Sequence, residues 1–179
     1  MTILYQPYKV LNPKKTNNFI ILCDHASYKI PKKYDKLGLS NIAYNFLGGV
    51  IKNASSLSAF FNPTINSYRR INAPPTKSGA SWSPSSISYT GNNRTHMIRI
   101  PDPGRFELRL MDGSANPYLL QASVLAAGLY GLKNKIDPGE PLTCNMYTDY
   151  KKYPNLPKLP NELQDSLELL KNNKEMNEA

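Results

Sequence analysis

Apolar positions along the chain fall into a few blocks with distinct periods. Residues 18–23, Asn-Phe-Ile-Ile-Leu-Cys, form a short continuous apolar run, the pattern of a buried strand, ending in Asp24-His25-Ala26-Ser27. Ile30-Pro31-Lys32-Lys33 breaks that pattern. Beyond it, Ile42, Phe46 and Val50 recur at i, i+4 and i+8, with Ala43 and Leu47 beside them. This spacing predicts a helix over 41–53, with Ser40 as its N-cap. Gly48-Gly49 inside it either weakens the helix or marks a close helix contact. Residues 61–68 are turn-like and lead into Arg69-Arg70. From Asn72 to Ser88 the chain is rich in Ser, Pro, Gly and Ala, which predicts a long loop.

Two short strands are predicted at 94–100 and 105–111, with Pro101-Asp102-Pro103-Gly104 as the hairpin turn between them. In the second strand the alternation places Arg105, Glu107 and Arg109 on one face and Phe106, Leu108 and Leu110 on the other. The apolar face belongs to a core. The Arg-Glu-Arg face is either a solvated sheet surface with an ion pair or the wall of a polar cavity, in which the carboxylate holds a cation and the arginines hold anions. Asn116-Pro117 is a strong helix start, and residues 117–132 are apolar almost all round, which predicts a buried helix. Asp137-Pro138-Gly139 closes that unit, and residues 150–160 are irregular. A last amphipathic helix is expected from near Asn161, using Leu163, Leu167 and Leu170, with a polar tail from Asn172 that frays. The expected class is α+β: a small antiparallel sheet backed by the 117–132 helix.

Composition narrows the function classes. The 179 residues are 40% hydrophobic and 20% charged, which argues against wholesale disorder. No apolar run approaches the ~20 residues of a membrane span, and the N-terminus has no apolar signal core. Cys23 and Cys144 form no disulfide framework or metal cluster, so a soluble, cytoplasmic protein with reduced thiols is expected. The net charge is +9, yet the type of base is more informative than its amount. All six arginines (Arg69, Arg70, Arg94, Arg99, Arg105, Arg109) lie between 69 and 109, and every basic residue elsewhere is Lys. Arg presents a planar fork that grips carboxylate or phosphate, whereas Lys is a flexible point charge. That window holds only Asp102 and Glu107 as acids, too few to pair six guanidinium groups, so an anion site is favoured over structural salt bridges. Zinc-finger spacing and an aromatic-basic stripe are both missing, which makes nucleic acid a remote partner.

The motifs in this window resemble those of the glutamine synthetase family, and residues 41–171 look like the carboxy-terminal part of its catalytic domain. Asn62-Pro63-Thr64-Ile65-Asn66-Ser67-Tyr68-Arg69-Arg70 resembles the substrate-side motif. Asn92-Asn93-Arg94-Thr95, followed by Arg99 and Pro101, resembles the phosphate-side arginine motif. Arg105-Phe106-Glu107-Leu108-Arg109, followed by Asp112 and Ala115-Asn116-Pro117-Tyr118, resembles the metal-and-glutamate strand. Ala126-Ala127-Gly128-Leu129 and Asn134 to Gly139 continue the match in order. The resemblance implies glutamate binding by Arg70 and Arg109, contact of Arg94 with the transferred phosphoryl group, and ATP contacts from Arg99 and Arg105. It implies Glu107 as a ligand of Mg²⁺ or Mn²⁺. The implied reaction is ATP-dependent formation of γ-glutamyl phosphate, then attack by ammonia or another small amine, as in glutamine biosynthesis. It also implies a homo-oligomer or a complementing chain.

Three departures qualify the expectation. The family's other metal carboxylates and its nucleotide-side histidine have no counterpart here, residues 71–88 contain no acid where a flap glutamate is expected, and the chain stops short of the family's end. A truncated or fused form without full activity, or a catalytically inactive remnant, is the expected consequence. Residues 1–39 do not fit this family. Phe19 to Ser27, Ile30-Pro31, Tyr34 and Leu37-Gly38-Leu39 resemble the opening strand and loop of N-formylglutamate amidohydrolases, which makes a hydrolase the alternative and His25 an alternative metal ligand. The expected organisation is thus a 1–39 segment of that type and a 40–179 ligase-like segment. His96 is expected to be structural or to stand behind the site.

Overall fold

The computed structural model describes residues 37–74 and 83–177. The strand expected at 18–23, with Cys23 and His25, lies outside the described residues.

Helix α1 spans Asn41–Phe61, and the Ser40 hydroxyl caps it by accepting from the Ala43 amide at 3.2 Å. It runs well past the predicted end at 53. The polar residues beyond that point bond to the helix's own carbonyls: Asn53 Nδ2 donates to Gly49 O at 3.0 Å and Ser58 Oγ to Ala54 O at 3.1 Å. Helix α2, Ile65–Ile71, replaces the expected turn. Pro63 separates the two helices, and Thr64 with Ser67 forms a reciprocal capping box that starts the second.

Among the described residues the sheet has three strands in the order β1-β2-β3: Tyr89–Thr90, Ile98–Asp102 and Arg105–Leu108. The α+β class holds, and β2 and β3 form the expected antiparallel hairpin, with Gly104 at φ 78° in the turn. The third strand differs from the expectation of an antiparallel sheet, because β1 joins β2 in parallel, Tyr89 opposite Ile98. The strands are also shorter than predicted. Residues 94–97 form a turn, and after Leu108 the chain leaves the ladder, although Arg109 N still donates to Met97 O at 2.8 Å.

Helix α3, Pro117–Lys133, begins where predicted, with the Asn116 side chain accepting from Tyr118 N and Leu119 N at 3.0 and 3.3 Å. It lies on α1 instead of on the sheet, and is less buried than an all-round apolar pattern suggests. Its small residues Ser123, Ala127, Gly128 and Gly131 face inward, while Tyr118 is 83% and Leu125 47% exposed. The backbones touch there. A Cβ on Gly49 would sit 2.1 Å from Ala127 O, and Phe46 fills the space that a Gly128 side chain would need. The Gly48-Gly49 pair is therefore the close helix contact, with Ile136 O against Gly48. Phe46 also reaches the sheet, lying 6.2 Å from Phe106 of β3, over a core that includes Leu47, Val50, Leu57, Ile98 and Leu110.

Helix α4, Met146–Asp149, continues into a 3₁₀ turn, Tyr150–Lys152. Helix α5, Leu163–Asn172, buries Ser166 and not the expected Leu167, which is exposed; Tyr68 Oη donates to Ser166 Oγ at 2.6 Å. The described part of the tail is docked instead of frayed. Helix α6, Lys174–Asn177, follows Asn173, whose side chain donates to Asn53 Oδ1 and Ser56 Oγ at 2.8 and 2.9 Å, and Lys52 pairs with Glu175 at 2.6 Å. Among the described residues no helix is long and apolar enough to cross a membrane.

Candidate anion-binding site

The β2–β3 register sets the centre of the site. Arg99 stands directly opposite Glu107, and both nitrogens of one edge of its guanidinium, Nε and Nη2, lie 2.9 Å from Glu107 Oε2. Arg109, two residues along the same face as Glu107, places Nε 3.3 Å from Oε1. One carboxylate is thus held between two guanidinium groups, leaving the trio net positive. Arg99 is only 12% exposed, which fixes its fork, and Asn92 Oδ1 takes a further bond from Nη1 at 3.2 Å. Arg105 stands apart from this group. It is largely exposed and pairs with Asp102 across the turn at 2.7 Å, an interaction of small energetic weight at such exposure.

Arg70 approaches from α2. Its Nη2 donates to Asn62 Oδ1 at 2.9 Å and to the Leu110 carbonyl at 3.0 Å, and Nη1 donates to Ser83 Oγ at 2.9 Å. These bonds tie the end of α1, the residue after Arg109 and the start of the segment leading to β1 to one side chain. Burial lowers the Arg70 pKa, and the Asp112 charge opposes that shift. Among the described residues, Arg70 Nε and Asn62 Nδ2 are buried donors with no acceptor. Burial also pushes the Asp112 carboxyl up, but hydrogen bonds from Ser114 and Ser67 and the charge of Arg70 outweigh it, and the carboxyl ends below its ordinary range.

Arg94 is exposed on the turn before β2. The neighbouring His96 is fully buried, with Nδ1 3.0 Å from Ser88 Oγ and Nε2 2.9 Å from the Cys144 carbonyl. A carbonyl only accepts, so the ring hydrogen is assigned to Nε2 and the Ser88 hydroxyl donates to Nδ1. Burial holds its pKa below the ordinary value, partly offset by the carbonyl. Both ring nitrogens of His96 are thus engaged inside the protein, behind the turn that carries Arg94.

The structure thus brings Arg99, Glu107 and Arg109 together, ties Arg70 to the backbone beside them, exposes Arg94 on the adjoining turn and turns Arg105 to solvent. The fit to a divalent cation is poor. Among the described residues no three His, Cys, Asp or Glu side chains come together, and the lone carboxylate in question is already paired with two guanidinium groups. A cation there would face two positive charges against one negative. The sequence pattern included Asn62 only as part of a motif, without a role, and pointed to neither Ser83 nor the 144–146 segment. The Asn62-Pro63 motif was the one available signal, since its Asn, which caps nothing at α2, is the partner of Arg70.

Comparison with known proteins supplies an independent view. A family model described as the glutamine synthetase catalytic domain matches residues 25–179. The chain is 56% identical over 144 residues to a glutamine synthetase of Rhizobium meliloti (strain 1021), covering 80% of this chain and 33% of that protein. It is 49% identical over 117 residues to a glutamate–methylamine ligase of Methyloversatilis universalis, covering 64% and 26%. A solved GmaS–ADP complex superposes with a TM-score of 0.73 at 53% identity, covering 79% of this chain and 33% of its own. The chain therefore spans about a third of these relatives.

Proposed function

The chain belongs to the glutamine synthetase catalytic-domain family, and from that premise we propose that it carries the arginine-rich portion of an ATP-dependent ligase joining glutamate to ammonia or a small amine through γ-glutamyl phosphate. The relatives include both glutamine synthetases and a glutamate–methylamine ligase, which supports the ligase class. The observation that carries the reading is the Arg99–Glu107–Arg109 group with Arg70 anchored at the Leu110 carbonyl.

In this proposal Arg70 and Arg109 hold the substrate carboxylate, Arg94 meets the transferred phosphoryl group, and Arg99 and Arg105 face the ATP phosphates. Phosphoryl transfer gains chiefly from positioning and from neutralising charge on the equatorial oxygens. Arg70, Arg99 and Arg109, held in place by other bonds, supply both with little reorganisation. Glu107 sets the spacing of Arg99 and Arg109 and keeps their mutual repulsion down. The described residues do not form a Mg²⁺ or Mn²⁺ site, so no step is assigned to a metal here.

Titration calorimetry with pyrophosphate tests the reading. Binding is expected without added Mg²⁺, and Arg99→Gln should weaken it about tenfold, the weight of one charge-assisted hydrogen-bond pair. Binding that requires Mg²⁺ and vanishes in Glu107→Gln would instead return Glu107 to the role of metal ligand. Glutamate-dependent release of ADP, with ammonia and with methylamine as acceptors, tests the reaction class and the acceptor.

A further inference from the structure

The turn that exposes Arg94 is held from below by chain some fifty residues further on. Within the turn, Asn93 Oδ1 accepts from Thr95 N at 2.9 Å and from Thr95 Oγ1 at 2.8 Å. The other end of the same amide, Nδ2, donates to the Cys144 carbonyl at 2.9 Å. His96 Nε2 donates to that carbonyl as well, and Met146 N donates to Thr95 Oγ1 at 2.9 Å. Thr95, His96 and Met146 are buried. The supporting segment is itself fixed, because Asn145 caps α4 by accepting from Tyr147 N at 2.9 Å. A carbonyl has two lone pairs, and those of Cys144 are both engaged by residues flanking Arg94.

We propose that Cys144–Met146 is a brace that positions Arg94, and that Asn93 and Thr95 are the positioning residues through which it acts. The proposal rests on the reading of Arg94 as phosphate-facing. An exposed arginine has many rotamers, and its backbone must be immobile if its guanidinium is to meet a developing charge without a large ordering cost. Here three bonds between the turn and the brace restrict that backbone, while the guanidinium stays in solvent.

Asn93→Asp separates the brace from the turn. An aspartate still accepts from Thr95 but cannot donate to the Cys144 carbonyl. Thr95→Val removes the acceptor of Met146 N, and Thr95→Ser keeps it. In the full chain, the expected result for Asn93→Asp and Thr95→Val is a lower ¹⁵N order parameter at the Arg94 amide, at least tenfold faster hydrogen exchange at Met146 N–H, and about tenfold weaker pyrophosphate binding. Thr95→Ser should match the parent. An Arg94 amide as ordered in both variants as in the parent overturns the brace, whatever pyrophosphate does. If Arg94 loosens and Arg94→Gln weakens binding while Asn93→Asp does not, the positioning claim is overturned. If Arg94 loosens and pyrophosphate binding ignores both Asn93→Asp and Arg94→Gln, the brace stands and the phosphate reading of Arg94 falls. Should Asn93→Asp not fold, Thr95→Val against Thr95→Ser carries the same comparison.

Discussion

Gly49→Ala asks the most of the helix packing with the least chemical change. The added methyl would sit 2.1 Å from Ala127 O and 2.7 Å from both Gly131 N and Cα. Ordinary contact begins at 3.4 Å, so the overlap is about 1.3 Å, and every blocking atom is backbone. No side chain can rotate away. Helix α3 must move off α1, opening the contact on either side of the crossing. Overpacking of this kind costs about 1–3 kcal/mol and occasionally more, against about 1 kcal/mol that alanine returns in helix propensity. With backbone on both sides, the upper end applies, and a net loss of about 2–3 kcal/mol is expected. For a chain of this length that is a fall in Tm of roughly 4–12 °C, read by circular dichroism. Gly131→Ala meets Asn45 O at 2.2 Å and should behave alike, whereas Gly113→Ala meets nothing within 4 Å and should stay within ~0.5 kcal/mol. The double variant at 49 and 131 should cost less than the two losses added, since one displacement relieves both overlaps. A Gly49→Ala protein melting at or above the parent would refute the backbone contact.

The buried His96 makes stability depend on pH. Its folded pKa lies below the ordinary value of about 6.5, so as pH falls the unfolded chain takes up the proton first; stability should be full above ~6.5 and decline below it, with a shallower slope in His96→Gln, measured by urea denaturation across that range. Arg70→Lys should cost about 2 kcal/mol in the same assay, because an ammonium on a flexible stem cannot reach Asn62, Ser83 and the Leu110 carbonyl together; unchanged stability would show that the clamp contributes nothing. Leu125→Lys and Leu129→Lys, on the outward face of α3, should leave stability within ~0.5 kcal/mol while reducing light scattering at high concentration, and a loss of several degrees in Tm would contradict their exposure.

Short-range chemistry decided which features could be read along the chain. The Asn116-Pro117 start of α3 and the Ser40 cap depend on neighbours within four residues and appear as expected, whereas of the Arg105/Glu107/Arg109 face only Glu107 and Arg109 come together, Arg105 being drawn to Asp102. The second half of α1 was missed because Asn53 and Ser58 turn their side chains back onto helix carbonyls, a choice the letters do not disclose. Helix α2 was missed because its start depends on a reciprocal bond between Thr64 and Ser67 in a stretch whose composition suggests a turn. The burial of α3 was misjudged for a tertiary reason: small residues set how near a partner helix can come, and so the large apolar side chains face away. In the site, the arginine cluster and its lone carboxylate were legible by composition. The pairing of Glu107 with Arg99 depends on strand register, and the Cys144–Met146 contact on a return of the chain that no local pattern encodes.

Helix α1 touches nearly everything that matters here: its last turn leads to Asn62 and so to Arg70, its middle meets α3, and its Asn53 and Ser56 receive the tail. Each residue added to an α-helix rotates the remainder of the helix by about 100°. A one-residue insertion after Gly49 would therefore swing Asn62 to a different side of the molecule while leaving the α3 contact where it was. The length of this helix is under as strict a constraint as any side chain in the site, and substitutions along it should be tolerated far better than insertions or deletions.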